Sequence, residues 1–447
     1  MTEYVFILGK NWLLSIAELL VHLEDLGLEV RIADHSRNAV VVKVDQVLDN
    51  GQLVDIQSAL GGCFKTGRVI TRYDKEIAEK AFPVRGKIGK DARRILQSCP
   101  WVSEVWGKPK NKKIKFGVST YPMVDDAPRL DLKRFTLGMD EWIKQKLTEL
   151  EAKKAVYYAY DEPDKRDEKR PNTALWPATI ARHKLLSPPN AEILAIFTED
   201  TLYIGRTVVV YDSQLQQYRD ESRPYVSAEI STSPKLCRTL LNLAGARTGD
   251  VVLDPFCGTG TILMEAAMLD MKCIGIDNNA EAVRGARSNL KWLSIELDQV
   301  IDYTIIRGDS RHASDLVNAA VDAVAFEPDL GPIYSDTPDR SEAECNIKSL
   351  TDLYNSVLQS VAQLLNHGGR IGMTVPVINS SEGQVTVDLS AMIDQTGLEV
   401  REMLPEEQVS GSATTHRRMA IRPGRRTLPE RKRGQIVQRL LLMLERL

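Results

Sequence analysis

Residues 251–277 read VVLDPFCGTGTILMEAAMLDMKCIGID. Two apolar runs, each closing on an aspartate (Asp254 and Asp277), enclose a Gly-Thr-Gly turn and a helix-length segment. Runs that stay apolar at nearly every position belong to strands covered on both faces, as in a parallel sheet. The same rhythm continues outward. Strands are predicted at 251–256, 272–277, 303–308, 321–327 and 369–375, and helices at 261–270, 279–293 and near 350–366. Such alternation specifies a doubly wound α/β domain from about residue 226 onward, with its ligand site at the carboxyl ends of the strands.

The turn narrows the ligand. Gly258 and Gly260 permit close backbone approach and positive φ. The third small residue of a dinucleotide fingerprint is replaced by Leu263, and the chain has no Gly-Lys-Ser/Thr phosphate loop. Asp254, directly before the turn, would repel a pyrophosphate and suits a cation. Asp277 closes the second strand and is placed to accept both hydroxyls of a ribose. Asp309 follows Gly308 at the third strand end, placed to accept from an adenine amine. Three acids at successive strand ends, without a phosphate cradle, fit S-adenosylmethionine, a sulfonium that carries an adenosine and no phosphate.

Outside this domain the chain is ordinary in bulk and uneven in charge. Its 447 residues are 43% hydrophobic and 27% charged, which excludes a disordered or collagen-like chain. No apolar run approaches the length of a membrane helix, and the N-terminus lacks the basic start of a signal peptide. Six scattered cysteines without a Cys-x-x-Cys pair argue against a disulfide scaffold or structural zinc. A reduced, cytoplasmic, multidomain protein is expected. Net charge is −3, yet residues 65–116 hold 15 Lys/Arg against 5 Asp/Glu, and residues 417–447 hold 10 against 2. Two basic regions in an acidic chain are the footprint of a nucleic-acid partner.

Residues 1–60 read strand, helix, strand, strand, a small α+β unit in which Ser15 caps the helix and Gly27 stops it. The basic segment mixes short strands, VSEVW (102–106) and KIKFGVS (113–119), with a helix after Asp91. Residues 161–174, DEPDKRDEKRPNTA, read as a linker, and residues 191–212 as a hairpin turning at Glu199-Asp200. The basic tail 416–447 fits either an added final strand or an RNA-touching amphipathic helix.

DPFCGTGTILMEA (254–266) followed by CIGIDNN (273–279) resembles the cofactor motifs of amino-methyltransferases. GRTVVVYDSQLQQYRDESRP (205–224) and SPKLCRTLLNLAGA (233–246) resemble the linker of the THUMP-containing tRNA guanosine-10 N2-methyltransferases of archaeal and eukaryotic type. The resemblance implies a ferredoxin-like α+β unit over 1–60 and a THUMP-like RNA-binding domain over 61–165. A linker with a β-hairpin over 166–225 and a Rossmann-like methyltransferase domain over 226–447 would follow. It implies that Asp254, Phe256, Gly258, Thr259, Gly260, Thr261, Asp277, Asn278, Asp309 and Ser310 hold S-adenosylmethionine. It implies a tRNA substrate, with Arg68, Lys87, Lys90, Arg93, Arg94, Lys112 and Lys113 as the contacting face. Some members also use a small zinc-binding activator subunit. No metal site and no membrane contact are expected.

One segment departs from that family. Its fourth strand ends in Asp-Pro-Pro-Tyr or a close variant, whose acid and a following carbonyl accept from the exocyclic amine while the Tyr stacks on the base. Here the collinear residues are Glu327-Pro328-Asp329-Leu330. Glu327 keeps a carboxylate on a longer stem, the Pro328 carbonyl is retained, Asp329 adds a second acid, and the aromatic ring is lost. The expected activity is methyl transfer to an exocyclic amine of a tRNA base, N2 of a guanosine, through Glu327, Pro328 and Asp329. The alternatives are another RNA or DNA amine, or an inactive RNA-binding module that retains the fold.

Overall fold

The computed structural model describes residues 2–124, 129–160, 173–226, 232–409, 411–430 and 434–447. Among them the chain forms two sheets. The first contains β1 (Thr2–Leu8), β2 (Val30–His35), β3 (Ala39–Val44), β4 (Cys63–Asp74), β5 (Lys113–Tyr121), β6 (Lys154–Tyr157), β7 (Ala191–Phe197) and β8 (Thr201–Val210), in the order β2-β3-β1-β4-β8-β7-β5-β6.

Its first half is a βαββαβ unit with antiparallel order β2-β3-β1-β4, the ferredoxin-like arrangement. The boundary expected at residue 60 moves to Asp74. β4, whose Lys65, Arg68 and Arg72 read as part of the basic segment, closes the sheet on β1. The first helix starts at Trp12 with Asn11 as its N-cap, so Ser15 is a buried helical residue and not the cap. Gly27 does follow the helix end, at φ 76°.

In the second half β5 runs parallel to β6 on one side and to β7 on the other, and β7 forms a hairpin with β8. The hairpin is therefore no linker: β8 pairs with β4, and β7 with β5. Residues 161–172 of the charged stretch lie outside the described residues. Val102–Trp106 is a helix, against the expected strand. Trp101, Val102, Val105 and Trp106 recur at helical spacing, which buries both indoles on one side.

The second sheet contains β9 (Val251–Asp254), β10 (Lys272–Asp277), β11 (Tyr303–Arg307), β12 (Val321–Phe326), β13 (Leu365–Ser380), β14 (Gly383–Thr386), β15 (Leu398–Val400), β16 (Thr427–Glu430) and β17 (Val437–Arg446). The main path is β11-β10-β9-β12-β13-β17-β15, parallel from β11 to β13 and then antiparallel at β17. The chain winds outward from β9 to β11, then crosses to β12, so the strand order reverses between β9 and β12. That switch point is where such sheets open a crevice. Val252, Ala323 and Ala325 face the helices Pro234–Leu243, Thr261–Ala267 and Ala280–Glu296, whereas Leu253, Val324 and Phe326 face the helix Arg340–Leu364. Both faces are thus buried, as the apolar runs require. The basic tail supplies β17, whose Leu441, Leu442, Met443 and Leu444 lie in the core, and which pairs with β13 and β15.

One continuous core joins the ferredoxin-like unit to the second sheet through the helices Trp12–Asp25 and Pro234–Leu243. Buried Glu18 accepts from the N–H groups of Gly61 and Gly62 and from Asn242 Nδ2, each at 2.8 Å. Burial pushes its carboxyl above the usual range, partly offset by these bonds. Among the described residues no helix is long and apolar enough to cross a membrane.

Candidate active site

β9 ends at Asp254, which is 1% exposed, and its Oδ1 accepts the Phe256 N–H at 3.0 Å. Burial holds this carboxyl well above its ordinary range, against the Phe256 hydrogen bond and with added repulsion from Asp277 and Glu327. The chain then turns through Gly258 at φ 52° and Gly260 at φ 85°. A Cβ on Gly260 would meet Ala286 at 3.2 Å, so positive φ and close packing both demand glycine there. At the end of β10, Asp277 fixes the turn from below: Oδ2 accepts Gly258 N–H at 2.9 Å and Oδ1 accepts Asn279 N–H at 2.8 Å. Each oxygen keeps a second lone pair.

Above these strand ends lies a cavity of about 250 Å³. Pro255, Phe256, Asp277 and Asn278 form one side, and Asp309, Ser310 and Arg311 another. Leu353 and Val357 supply an apolar wall, and Asp329 completes the rim. Ser310 Oγ donates to the Pro255 carbonyl, tying the end of β11 to that of β9. Asp309 differs from its expected state. Arg311 holds it, with Nε at 2.9 Å and 3.1 Å from the two carboxylate oxygens and its N–H at 3.0 Å from Oδ1. The Arg311 side chain, and then its N–H, pull the Asp309 carboxyl down to about 2.

The structure separates the two acids of the loop after β12. Glu327 lies within electrostatic reach of Asp254 and meets Arg439 of β17, Nη2 to Oε1 at 2.7 Å and Nε to Oε2 at 3.0 Å. Arg439 also reaches Glu430 at 3.5 Å, and the Glu327 and Arg439 side chains are 11% and 17% exposed. Asp329 is exposed and belongs to the cavity, with Oδ1 accepting Gly331 N–H at 2.9 Å. Pro328 is buried, and the buried Tyr354 donates its hydroxyl to the Asp329 carbonyl.

Residues 223–382 match the family model of an RMKL-like methyltransferase domain, and residues 100–288 match that of a DNA methylase. The chain is 32% identical over 211 residues to a tRNA (guanine(10)-N2)-dimethyltransferase of Methanothermobacter thermautotrophicus, covering 47% of this chain and 55% of that one. It is 30% identical over 169 residues to a tRNA (guanine(6)-N2)-methyltransferase of Thermus thermophilus, covering 35% and 43%. Over part of its length the chain is similar to tRNA guanine-N2 methyltransferases. It spans about half the length of the curated relatives it matches. The solved structure of TrmN from Thermus thermophilus shares its fold, with a TM-score of 0.50 at 16% identity and full coverage of both chains.

Three further side chains support these loops without a clear signal in the local sequence. Buried Asn289 donates to the Thr259 and Tyr225 carbonyls, both at 2.9 Å, and so clasps the glycine turn. Arg223 donates to Thr261 Oγ1 at 3.1 Å. Arg439 is the third. Its only local signal is a charge within an apolar strand.

The seven basic residues are not all on one surface. Lys87, Lys90, Arg93 and Arg94 are exposed on and before the helix Lys90–Gln97, and Arg93 lies over the rings of Phe82 and Trp142 at 5.9 and 5.6 Å. Exposed Lys112 and Lys113 border a hollow of about 740 Å³ with Trp106, Lys153 and Arg206. Arg68 sits apart in the ferredoxin-like unit, donating to Asn50 Oδ1 at 3.0 Å over the ring of Tyr4. Its cross-strand partner on β8 is Arg206, which borders that hollow.

Proposed function

We propose that the chain methylates an exocyclic amine of tRNA, N2 of a guanosine of the position-10 type, with S-adenosylmethionine as methyl donor. The observation that carries this reading is the crevice at the β9–β12 switch point: a nucleoside-sized cavity rimmed by carboxylates and backed by apolar walls. A cationic adenosine derivative fits such a lining, whereas a nucleotide phosphate does not. Asp277 would take the ribose, and Asp254, Phe256, Gly258, Thr259, Gly260, Thr261, Asn278, Asp309 and Ser310 the remainder. Bound there, the cofactor supplies an electrophilic methyl group.

The chain's own residues position the acceptor. A primary exocyclic amine offers two N–H donors, and Glu327 and the Pro328 carbonyl are two acceptors at the end of β12. Arg439 uses one lone pair on each Glu327 oxygen and leaves another on each. The carboxylate is thereby fixed in direction, which is what orientation of the amine lone pair requires. The strands and helices of residues 75–210 would be the THUMP-like RNA-binding domain. Lys87, Lys90, Arg93, Arg94, Lys112 and Lys113, joined by Lys153 and Arg206, would neutralise phosphates. A cytoplasmic location goes with this substrate.

Mass spectrometry of tRNA nucleosides from cells with and without the protein tests the reading. Loss of N2-methylated guanosine on deletion supports it. The match to a DNA methylase family model favours a second reading, which methylated adenine in DNA from the same cells would support instead. Assaying the purified chain alone and with a small zinc-binding subunit decides whether it needs the activator that some family members use.

A further inference from the structure

Glu327 and Asp329 are two positions apart, and only Asp329 faces the nucleoside cavity. Its Oδ1 accepts from Gly331, and the side chain is exposed toward the same space as Asp277 and Asp309. The acid expected to read the adenine amine, Asp309, already accepts from the backbone N–H, Nε and Nη2 of Arg311 across its two oxygens. An adenine amine arriving there would have to displace a charged partner. Asp329 requires no such exchange. It also lies near the apolar residues Leu353 and Val357 of the facing helix, where a purine ring would be buried.

We infer that Asp329 is a cofactor-specificity residue: its carboxylate accepts a hydrogen bond from the exocyclic amine of the cofactor's adenine, and it does not act on the RNA amine. The inference rests on the proposed S-adenosylmethionine site. It divides the labour of the loop, with Glu327 turned to the acceptor amine and Asp329 to the donor's base. The departure from the family's loop is then a gain of cofactor reading in place of a second catalytic acid.

The test is calorimetric. S-adenosylhomocysteine and its analogue with an unsubstituted purine base, lacking the 6-amino group, are titrated into the full chain and into Asp329→Ala, Asp329→Asn and Asp309→Ala. A hydrogen bond to a charged acceptor predicts that the wild type binds the purine analogue about tenfold or more weaker than S-adenosylhomocysteine. Asp329→Ala should bind both ligands alike, and Asp309→Ala should keep the wild-type preference. Asp329→Asn, which retains an acceptor for Gly331, should lose much of the preference while folding as the wild type does. Equal weakening of both ligands by Asp329→Ala, or loss of the preference in Asp309→Ala instead, overturns the inference. If the wild type binds neither ligand, the cofactor site itself fails.

Discussion

The two sides of the crevice satisfy their acids differently. Asp254, Asp277, Asp309 and Asp329 each accept the N–H of the residue two positions ahead, Phe256, Asn279, Arg311 and Gly331, at 2.8–3.0 Å. An aspartate is the right length to close such a turn on its own backbone. Glu327 is one methylene longer, and its carboxylate reaches across β13 to Arg439, 112 positions on. The proposed cofactor side is therefore built from local turns. The proposed amine side depends on β17, which carries the partner of Glu327.

Breaking the long-range pair should have the largest effect. Arg439→Met leaves a mostly buried carboxylate without its partner, a loss of about 3–5 kcal/mol. Urea unfolding measures it, and Glu327→Gln combined with Arg439→Met should recover much of that loss. An Arg439→Met protein as stable as wild type would deny the pair its role.

Glu327→Gln alone tests the chemical half. Single-turnover methyl transfer should fall by about 100-fold or more, as when a positioned acid–base or orienting group is removed. Cofactor affinity should stay near wild type. Glu327→Asp sharpens the comparison: the shorter acid should close a turn like its four neighbours and release Arg439, so it too should lose rate.

On the cofactor side, Asp277→Ala should weaken S-adenosylmethionine by about tenfold or more, the value of the charge-assisted bonds it loses. Unchanged affinity by calorimetry would detach Asp277 from the ligand. RNA capture should respond to salt. Five phosphate contacts imply a log–log slope of roughly −4 for tRNA binding. Reversing Lys90, Arg94 and Lys113 should flatten that slope without touching cofactor affinity, and Arg68 reversal should do less.

The smallest effect concerns pH. Asp309 sits at about 2 because Arg311 bonds to its charged form. A carboxyl depressed on folding stabilises above its unfolded value of about 3.9, and that stability is lost as pH falls toward 2. The pair is exposed, so the contribution is small. Titration by NMR should find the Asp309 carboxyl returning toward the ordinary range in Arg311→Ala.

The same contrast explains what the sequence disclosed. The doubly wound sheet was legible because each strand announces itself by an apolar run and each turn by an acid at its end. Gly258, Gly260 and Asp277 could be placed from a stretch of 27 residues. Arg439 could not, since nothing local marks which acid it will meet. The position of β8 between β4 and β7 was equally hidden, because a hairpin's own pattern fixes its register and leaves its neighbours open. Val102–Trp106 misled because its valines and tryptophan favour a strand, and five residues are too few for the helical spacing of Val102, Val105 and Trp106 to stand out.

The central proposal is that Glu327, held by Arg439, directs methyl transfer to a tRNA amine. Unmodified tRNA incubated with the pure chain and S-adenosylmethionine bearing a labelled methyl group, then digested to nucleosides and resolved by mass spectrometry, tests it most directly. The account predicts labelled N2-methylguanosine with the wild type and its near absence with Glu327→Gln at saturating cofactor. Label on another base, or an undiminished yield from Glu327→Gln, would contradict it.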